Sequence, residues 1–126
     1  MSASEPLPAP LALIAEDEPL IMMETADLLG DLGYPVLEAR TAAQALTALN
    51  DHPDICLLVT DVQMPGPMQG FELSRVVHAT QPDMRIIVCS GQIRPSADDL
   101  PPNALFVDKP LGANVLARTL QKLQPV

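Results

Sequence analysis

Aromatic residues are nearly missing from this chain: of 126 residues only Tyr34, Phe71 and Phe106 are aromatic, and there is no tryptophan. A core must therefore be built from Leu, Val, Ile, Ala and Met, and the stacking platforms that single-stranded nucleic acid needs are poorly supplied. Basic residues are also few, seven Lys and Arg against sixteen Asp and Glu, for a net charge of −9. The deficit is local. Residues 1–63 hold eleven acids and one base, Arg40, whereas residues 64–126 hold five acids and six bases. An acidic half argues against a phosphate-backbone footprint and for cations or a basic partner patch, so no direct nucleic-acid ligand is expected. No apolar run approaches the roughly 18 residues of a membrane span, so no membrane partner is expected.

There are only two cysteines, Cys56 and Cys89, set in DICLLV and IIVCSG without CxxC or Cys/His spacing. That excludes a zinc site and predicts free thiols in a reducing compartment. The start MSASEPLPAP lacks the basic opening and apolar stretch of a signal peptide, which predicts a cytoplasmic location. Its three prolines mark residues 1–10 as a short flexible lead, leaving residues 11–124 as one domain. At 126 residues and 48% hydrophobic content, the chain is long enough for one core and too apolar for a disordered acidic tail.

Short apolar runs alternate with helical patterns along the chain. Leu11–Ala15 reads as a strand that stops at Glu16, Asp17 and Glu18. Pro19 then opens a helix whose face is read as Ile21, Leu28 and Leu32, ended by Gly33. Pro35–Ala39 is a weaker strand, followed by a helix capped by Thr41 with Ala42, Ala45, Leu46 and Leu49 on one side. Ile55–Thr60 is the third strand, Phe71–Thr80 a helix with Leu73, Val76 and Val77 inward, Met84–Cys89 a fourth strand and Ala104–Val107 a fifth. Leu116, Leu120 and Leu123 mark the last helix. Pro95, Pro101 and Pro102 leave room for at most a short helix around Ser96–Leu100. Strands apolar on both faces, alternating with helices, imply a parallel sheet covered on both sides.

Ligands of such sheets sit outside the carboxyl ends of the strands, and there the sequence places its polar groups: Glu16 and Asp17, Asp61, Ser90, and Asp108 with Lys109. Any one of them has a bland explanation, as a helix cap, a turn cap or a solvated residue. Four strand ends carrying complementary groups is not what capping alone produces. Three converging carboxylates with no His or Cys suit a hard divalent cation such as Mg²⁺. A lysine and a hydroxyl beside them are the parts that stabilise a transferring phosphoryl group, with a carboxylate as nucleophile.

These residues bring in a family. With E-D-E at 16–18, T-D-V-Q-M-P-G at 60–66 followed by Gly70, S-G at 90–91 and F-V-D-K-P at 106–110, the chain resembles the receiver domain of two-component response regulators, from about Leu11 to Leu123. The resemblance implies a five-stranded parallel sheet in the flavodoxin-like order 2-1-3-4-5 with helices on both faces, the fourth helix short or irregular here. It implies that Asp61 is the phosphoacceptor, that Asp17, Asp61 and the Gln63 backbone carbonyl bind Mg²⁺ directly, and that Glu16 does so through water. Lys109 would hold a phosphoryl oxygen, Ser90 would be the switch hydroxyl and Phe106 the aromatic that moves with it.

The implied function is a phosphorylation-controlled module that takes a phosphoryl group from a histidine kinase or histidine phosphotransfer protein and acts on an output protein, or merely drains phosphoryl groups. Three departures stand out. The Asp61–Gly70 loop is one residue longer than the family's usual spacing, the fourth helix is broken by prolines, and Phe106 replaces the commoner tyrosine. An enzyme reading, a small Mg-dependent phosphatase of the haloacid-dehalogenase-like kind, needs a general-acid Asp two residues after the nucleophile, where this chain has Gln63. A degenerate receiver serving only as a contact surface is disfavoured because every acceptor-site position is filled. His52 and His78 are expected at the surface, and Met22, Met23, Met64, Met68 and Met84 as gap-fillers. Arg94, Arg118 and Lys122 form either a partner face or plain solvated surface. Counting from the strand ends, Cys56 and Cys89 are offset by four residues along neighbouring strands, too far for a bridge.

Overall fold

A computed structural model describes residues 10–96 and 98–123. In chain order it consists of β1 (Leu11–Ala15), α1 (Pro19–Asp31), β2 (Val36–Ala39), α2 (Ala42–Asp51), β3 (Ile55–Asp61), α3 (Gly70–Thr80), β4 (Arg85–Ser90), β5 (Ala104–Asp108) and α4 (Ala113–Lys122). The five strands are parallel and ordered β2-β1-β3-β4-β5, the predicted flavodoxin-like arrangement. Residues 1–9, which hold most of the expected N-terminal lead, lie outside the described residues.

Alternation along each strand divides the interior into two cores. Leu13, Leu58, Ile86 and Val88 face one way and meet Ala42, Ala45 and Leu49 of α2 and Leu73 and Val77 of α3. Ala12, Ile14, Leu57, Val59, Ile87 and Cys89 face the other way and meet Met22 and Leu29 of α1 and Leu116 and Leu120 of α4. Both faces of the central strands are therefore covered, which is why those strands read as unbroken apolar runs. Thr41 caps α2 as expected, its Oγ1 accepting from the Gln44 N–H at 3.1 Å.

Three readings need correction. In α1 the buried residues are Met22, Thr25 and Leu29, not Ile21, Leu28 and Leu32; Leu32 is 42% exposed. Adjacent apolar pairs at 21/28 and 22/29 give two stripes about 100° apart, and only docking on the sheet chooses between them. The β4–β5 connection is irregular, in keeping with the short or irregular fourth helix expected there: no helix forms among its described residues, and it is pinned by Ile93 and Leu100 on the core and by Arg75 Nη1 donating to Asp99 O at 3.0 Å. Prolines deny the segment a helical hydrogen-bond ladder, so side chains hold it. His52 is exposed, but His78 is half-buried with its Nδ1 enclosed and unpartnered. Met22, Met64 and Met84 fill the core, whereas Met23 stands 58% exposed on α1.

Both cysteines are free. Asp61 pairs in register with Cys89 rather than with Ser90, so Cys56 sits five residues from Cys89 along the strands, one more than the expected offset. That is about 16 Å at roughly 3.3 Å per residue, which excludes a bridge. Burial pushes the Cys89 thiol up to about 12. At pH 8 an alkylating reagent should therefore label at most Cys56 in the native protein and two thiols after denaturation, counted by intact mass. Native labelling of Cys89, or none in the denatured chain, would contradict this register.

Candidate functional site

Because β1, β3, β4 and β5 are parallel, their carboxyl ends and the groups that follow them meet at one edge. Backbone bonds stitch that edge together: Glu16 N–H to Ala39 O at 2.9 Å, Val62 N–H to Cys89 O at 3.0 Å and Lys109 N–H to Ser90 O at 3.0 Å. Each strand end is thus fixed by its neighbour before any side chain contributes. Carboxylate oxygens of Glu16, Asp17 and Asp61 lie within 4.8 Å of one another, in order buried, exposed and half-buried.

Lys109 is the cation among them. Its Nζ donates to Glu16 Oε1 at 2.8 Å and lies 3.2 Å from Asp61 Oδ1. The other Glu16 oxygen, Oε2, accepts the Glu18 N–H at 3.1 Å, so this carboxylate, only 4% exposed as a residue, is satisfied at both ends. Burial lifts the Glu16 carboxyl above the ordinary carboxylate range, against the hydrogen bonds from Lys109 and Glu18. Burial alone would lower the Lys109 ammonium, but the Glu16 hydrogen bond and the charges of Asp61 and Glu16 outweigh it and raise it. Two carboxylates against one ammonium account for the raised lysine, whereas burial dominates at Glu16. A raised lysine contributes its full stabilisation below its unfolded value near pH 10.4 and loses it as pH rises through the folded value, so Lys109 is charged at neutral pH.

One ammonium does not neutralise three carboxylates. Two like unit charges about 5 Å apart repel by roughly 3 kcal/mol at an effective dielectric of about 20. An all-oxygen donor set with surplus negative charge fits a hard divalent cation and offers no nitrogen or sulfur for a softer one.

Ser90, at the end of β4, is buried, and its Oγ accepts the N–H groups of Gln92 at 3.2 Å and Ile93 at 3.0 Å. Phe106 is half-buried on β5 and packs on the same core as Ile93 and Leu100. Gln63 is exposed in the loop after β3. All the residues expected at the strand ends are therefore at one edge, with Phe106 one layer below.

A model of the response regulator receiver domain matches residues 12–121. This chain belongs to the receiver domain family. Among curated proteins it is 33% identical over 115 residues to the sensor kinase CckA of Brucella abortus, covering 88% of this chain and 12% of the kinase. It is 36% identical over 118 residues to the sensor protein EvgS of Escherichia coli K12, covering 90% of this chain and 10% of EvgS. The receiver thus spans about a tenth of the length of these relatives. A crystal structure of a response regulator receiver protein from Sinorhizobium medicae superposes with a TM-score of 0.83 at 26% identity, covering 94% of this chain and 96% of that one.

One support of the receiver site, Gln69, has no sequence signal, and a second, Gly70, stands in the motif without its packing role being legible there. Gln69 fastens the longer loop: its Oε1 accepts the Met64 N–H at 2.9 Å, and its Nε2 donates to Met64 O at 2.9 Å and Gly66 O at 3.1 Å. A lone glutamine in a loop gives no pattern to find. Gly70 brings α3 against the end of β3, its N–H donating to Val62 O at 2.8 Å, and a Cβ there would fall 2.0 Å from the Asp61 carbonyl oxygen. Gly70→Ala should therefore displace the backbone of Asp61 and destabilise the fold by roughly 1–3 kcal/mol in denaturant titration, the scale of forcing extra atoms into filled space. A loss under about 0.5 kcal/mol would show that α3 does not bear on Asp61 in this way.

Proposed function

We propose that this receiver domain accepts a phosphoryl group on Asp61 from the phosphohistidine of a histidine kinase or phosphotransfer protein. The observation that carries the reading is Lys109, held between Glu16 and Asp61 at 2.8 Å and 3.2 Å in a cluster that also includes Asp17. An Asp61 carboxylate oxygen attacks phosphorus, the P–N bond breaks, and the imidazole nitrogen keeps the electron pair and takes a proton from solvent. Hydrolysis later breaks the acyl phosphate, releases inorganic phosphate and returns the carboxylate. Lys109 Nζ is placed to donate to a phosphoryl oxygen as its bond to Asp61 Oδ1 is exchanged. Asp17, Asp61 and the Gln63 carbonyl would hold Mg²⁺ directly and Glu16 through water, and the ion when bound supplies positive charge against the phosphoryl oxygens.

Ser90 is the group that responds to the new oxygens through its hydroxyl proton, and Phe106 is the aromatic whose packing changes with it, a two-state repacking. A kinase or phosphotransfer partner has an apolar foothold next to the site, because α1 exposes Leu20 by 62% and Met23 by 58%. The domain is a signalling module rather than an enzyme acting on a separate substrate, and it works in the cytoplasm, where the phosphohistidine forms. No described helix is long and apolar enough to cross a membrane. The output is a contact with another protein, without direct binding to nucleic acid.

Acetyl phosphate with Mg²⁺ should add one phosphoryl group to the wild type by intact mass and none to Asp61→Asn. An Asp61→Asn protein that still labels would move the acceptor elsewhere.

Mg²⁺ alone should raise the melting temperature by several degrees. A ligand at a hundred times its dissociation constant stabilises by about 2.7 kcal/mol, and removing a ligating carboxylate removes that gain. Asp17→Asn melting with the same Mg²⁺ dependence as wild type would refute the ligand assignment.

A further inference from the structure

Two sets of contacts at the start of the β4–β5 connection pull in different directions. Ser90 Oγ accepts the N–H groups of Gln92 and Ile93. A hydroxyl has two acceptor positions and one proton, so only donation remains to Ser90, and among the described residues its O–H donates to no protein group. Just beyond, Arg94 grips Asp108 in a fork, Nη1 to Oδ1 at 3.1 Å and Nη2 to Oδ2 at 3.2 Å. Asp108 lies opposite Ser90 in the β4–β5 register and immediately precedes Lys109.

Resting on the phosphoacceptor reading above, we propose that the Arg94–Asp108 pair is an autoinhibitory latch: it ties the Gln92–Arg94 turn to β5, and it opens when Ser90 turns its proton to a phosphoryl group on Asp61. Moving Oγ toward that group leaves two choices. Either the oxygen abandons the Gln92 and Ile93 N–H groups, or it carries the turn with it. Abandonment leaves two backbone donors without their acceptor, one of them on half-buried Ile93. Carrying the turn shifts half-buried Ile93 along the core and breaks the Arg94–Asp108 pair, whose side chains are 72% and 56% exposed, the setting in which an ion pair is weakest. No helix has to be dislodged, because none forms here among the described residues. The weaker restraint yields, so the turn follows Ser90 and the latch breaks.

The test is the affinity for beryllofluoride, the phosphoryl mimic, titrated with Mg²⁺ present and read by fluorine NMR, in wild type, Arg94→Ala, Asp108→Ala and the double variant. A latch that opposes the bound form predicts that each single variant binds roughly two- to fivefold tighter, the scale of an exposed ion pair, that the double variant gains no more than either single, and that high salt erases the difference. Simple electrostatics predicts otherwise for Arg94→Ala: loss of a cation near an anionic ligand weakens binding. Weakened or unchanged binding by Arg94→Ala therefore overturns the latch. So does a tightening that persists in a Ser90→Ala background, where the Oγ link to the turn is gone. Failure of wild type to bind beryllofluoride at all would instead overturn the phosphoacceptor reading, and the latch with it.

Discussion

The charge arrangement around Lys109 is the constraint on which the rest of the site depends. A buried carboxylate is tolerated only when its oxygens are satisfied, and Glu16 meets that condition with Lys109 on one oxygen and the Glu18 N–H on the other. The same ammonium reaches Asp61, so one cation holds Asp61 and neutralises its neighbour together. What is left over is negative charge at the mouth of the site, on Asp17 and Asp61. A site left short of positive charge in this way favours a divalent cation.

Parallel strands make this geometry possible. They deliver Glu16, Asp61, Ser90 and Lys109 to one edge, and backbone bonds between successive strand ends hold those residues in register. The end of β3 is tightly packed: Gly70 admits α3 to within contact of the Asp61 carbonyl, and Gln69 closes the loop between them. The β4–β5 connection is the opposite case. It has few apolar anchors and no helix among the described residues, which puts it at the low-stability end of the fold.

The strands and the strand-end residues were legible in the sequence because their signals are local: apolar runs with polar residues where they stop, and helices between them. Glu16, Asp17, Asp61, Ser90 and Lys109 could be grouped from the parallel topology alone. What was not legible depended on packing. The choice between the 21/28 and 22/29 stripes of α1 is made by the sheet, and Thr25 in the buried position hid the answer. The one-residue difference in β3–β4 register, the loop clamp of Gln69 and the Arg94–Asp108 fork join residues that carry no periodicity. Proline content indicated that the β4–β5 connection would be irregular, but not that side chains would pin it to α3 and β5.

The proposed chemistry is an acyl phosphate at one carboxylate, Asp61. Borohydride reduces an aspartyl phosphate to homoserine and leaves free carboxylates untouched. After phosphotransfer from a histidine kinase or phosphotransfer protein, borohydride treatment and peptide sequencing by mass spectrometry, the account predicts homoserine at position 61 and nowhere else. Homoserine at position 16 or 17, or phosphate on any other residue with Asp61 intact, would contradict it.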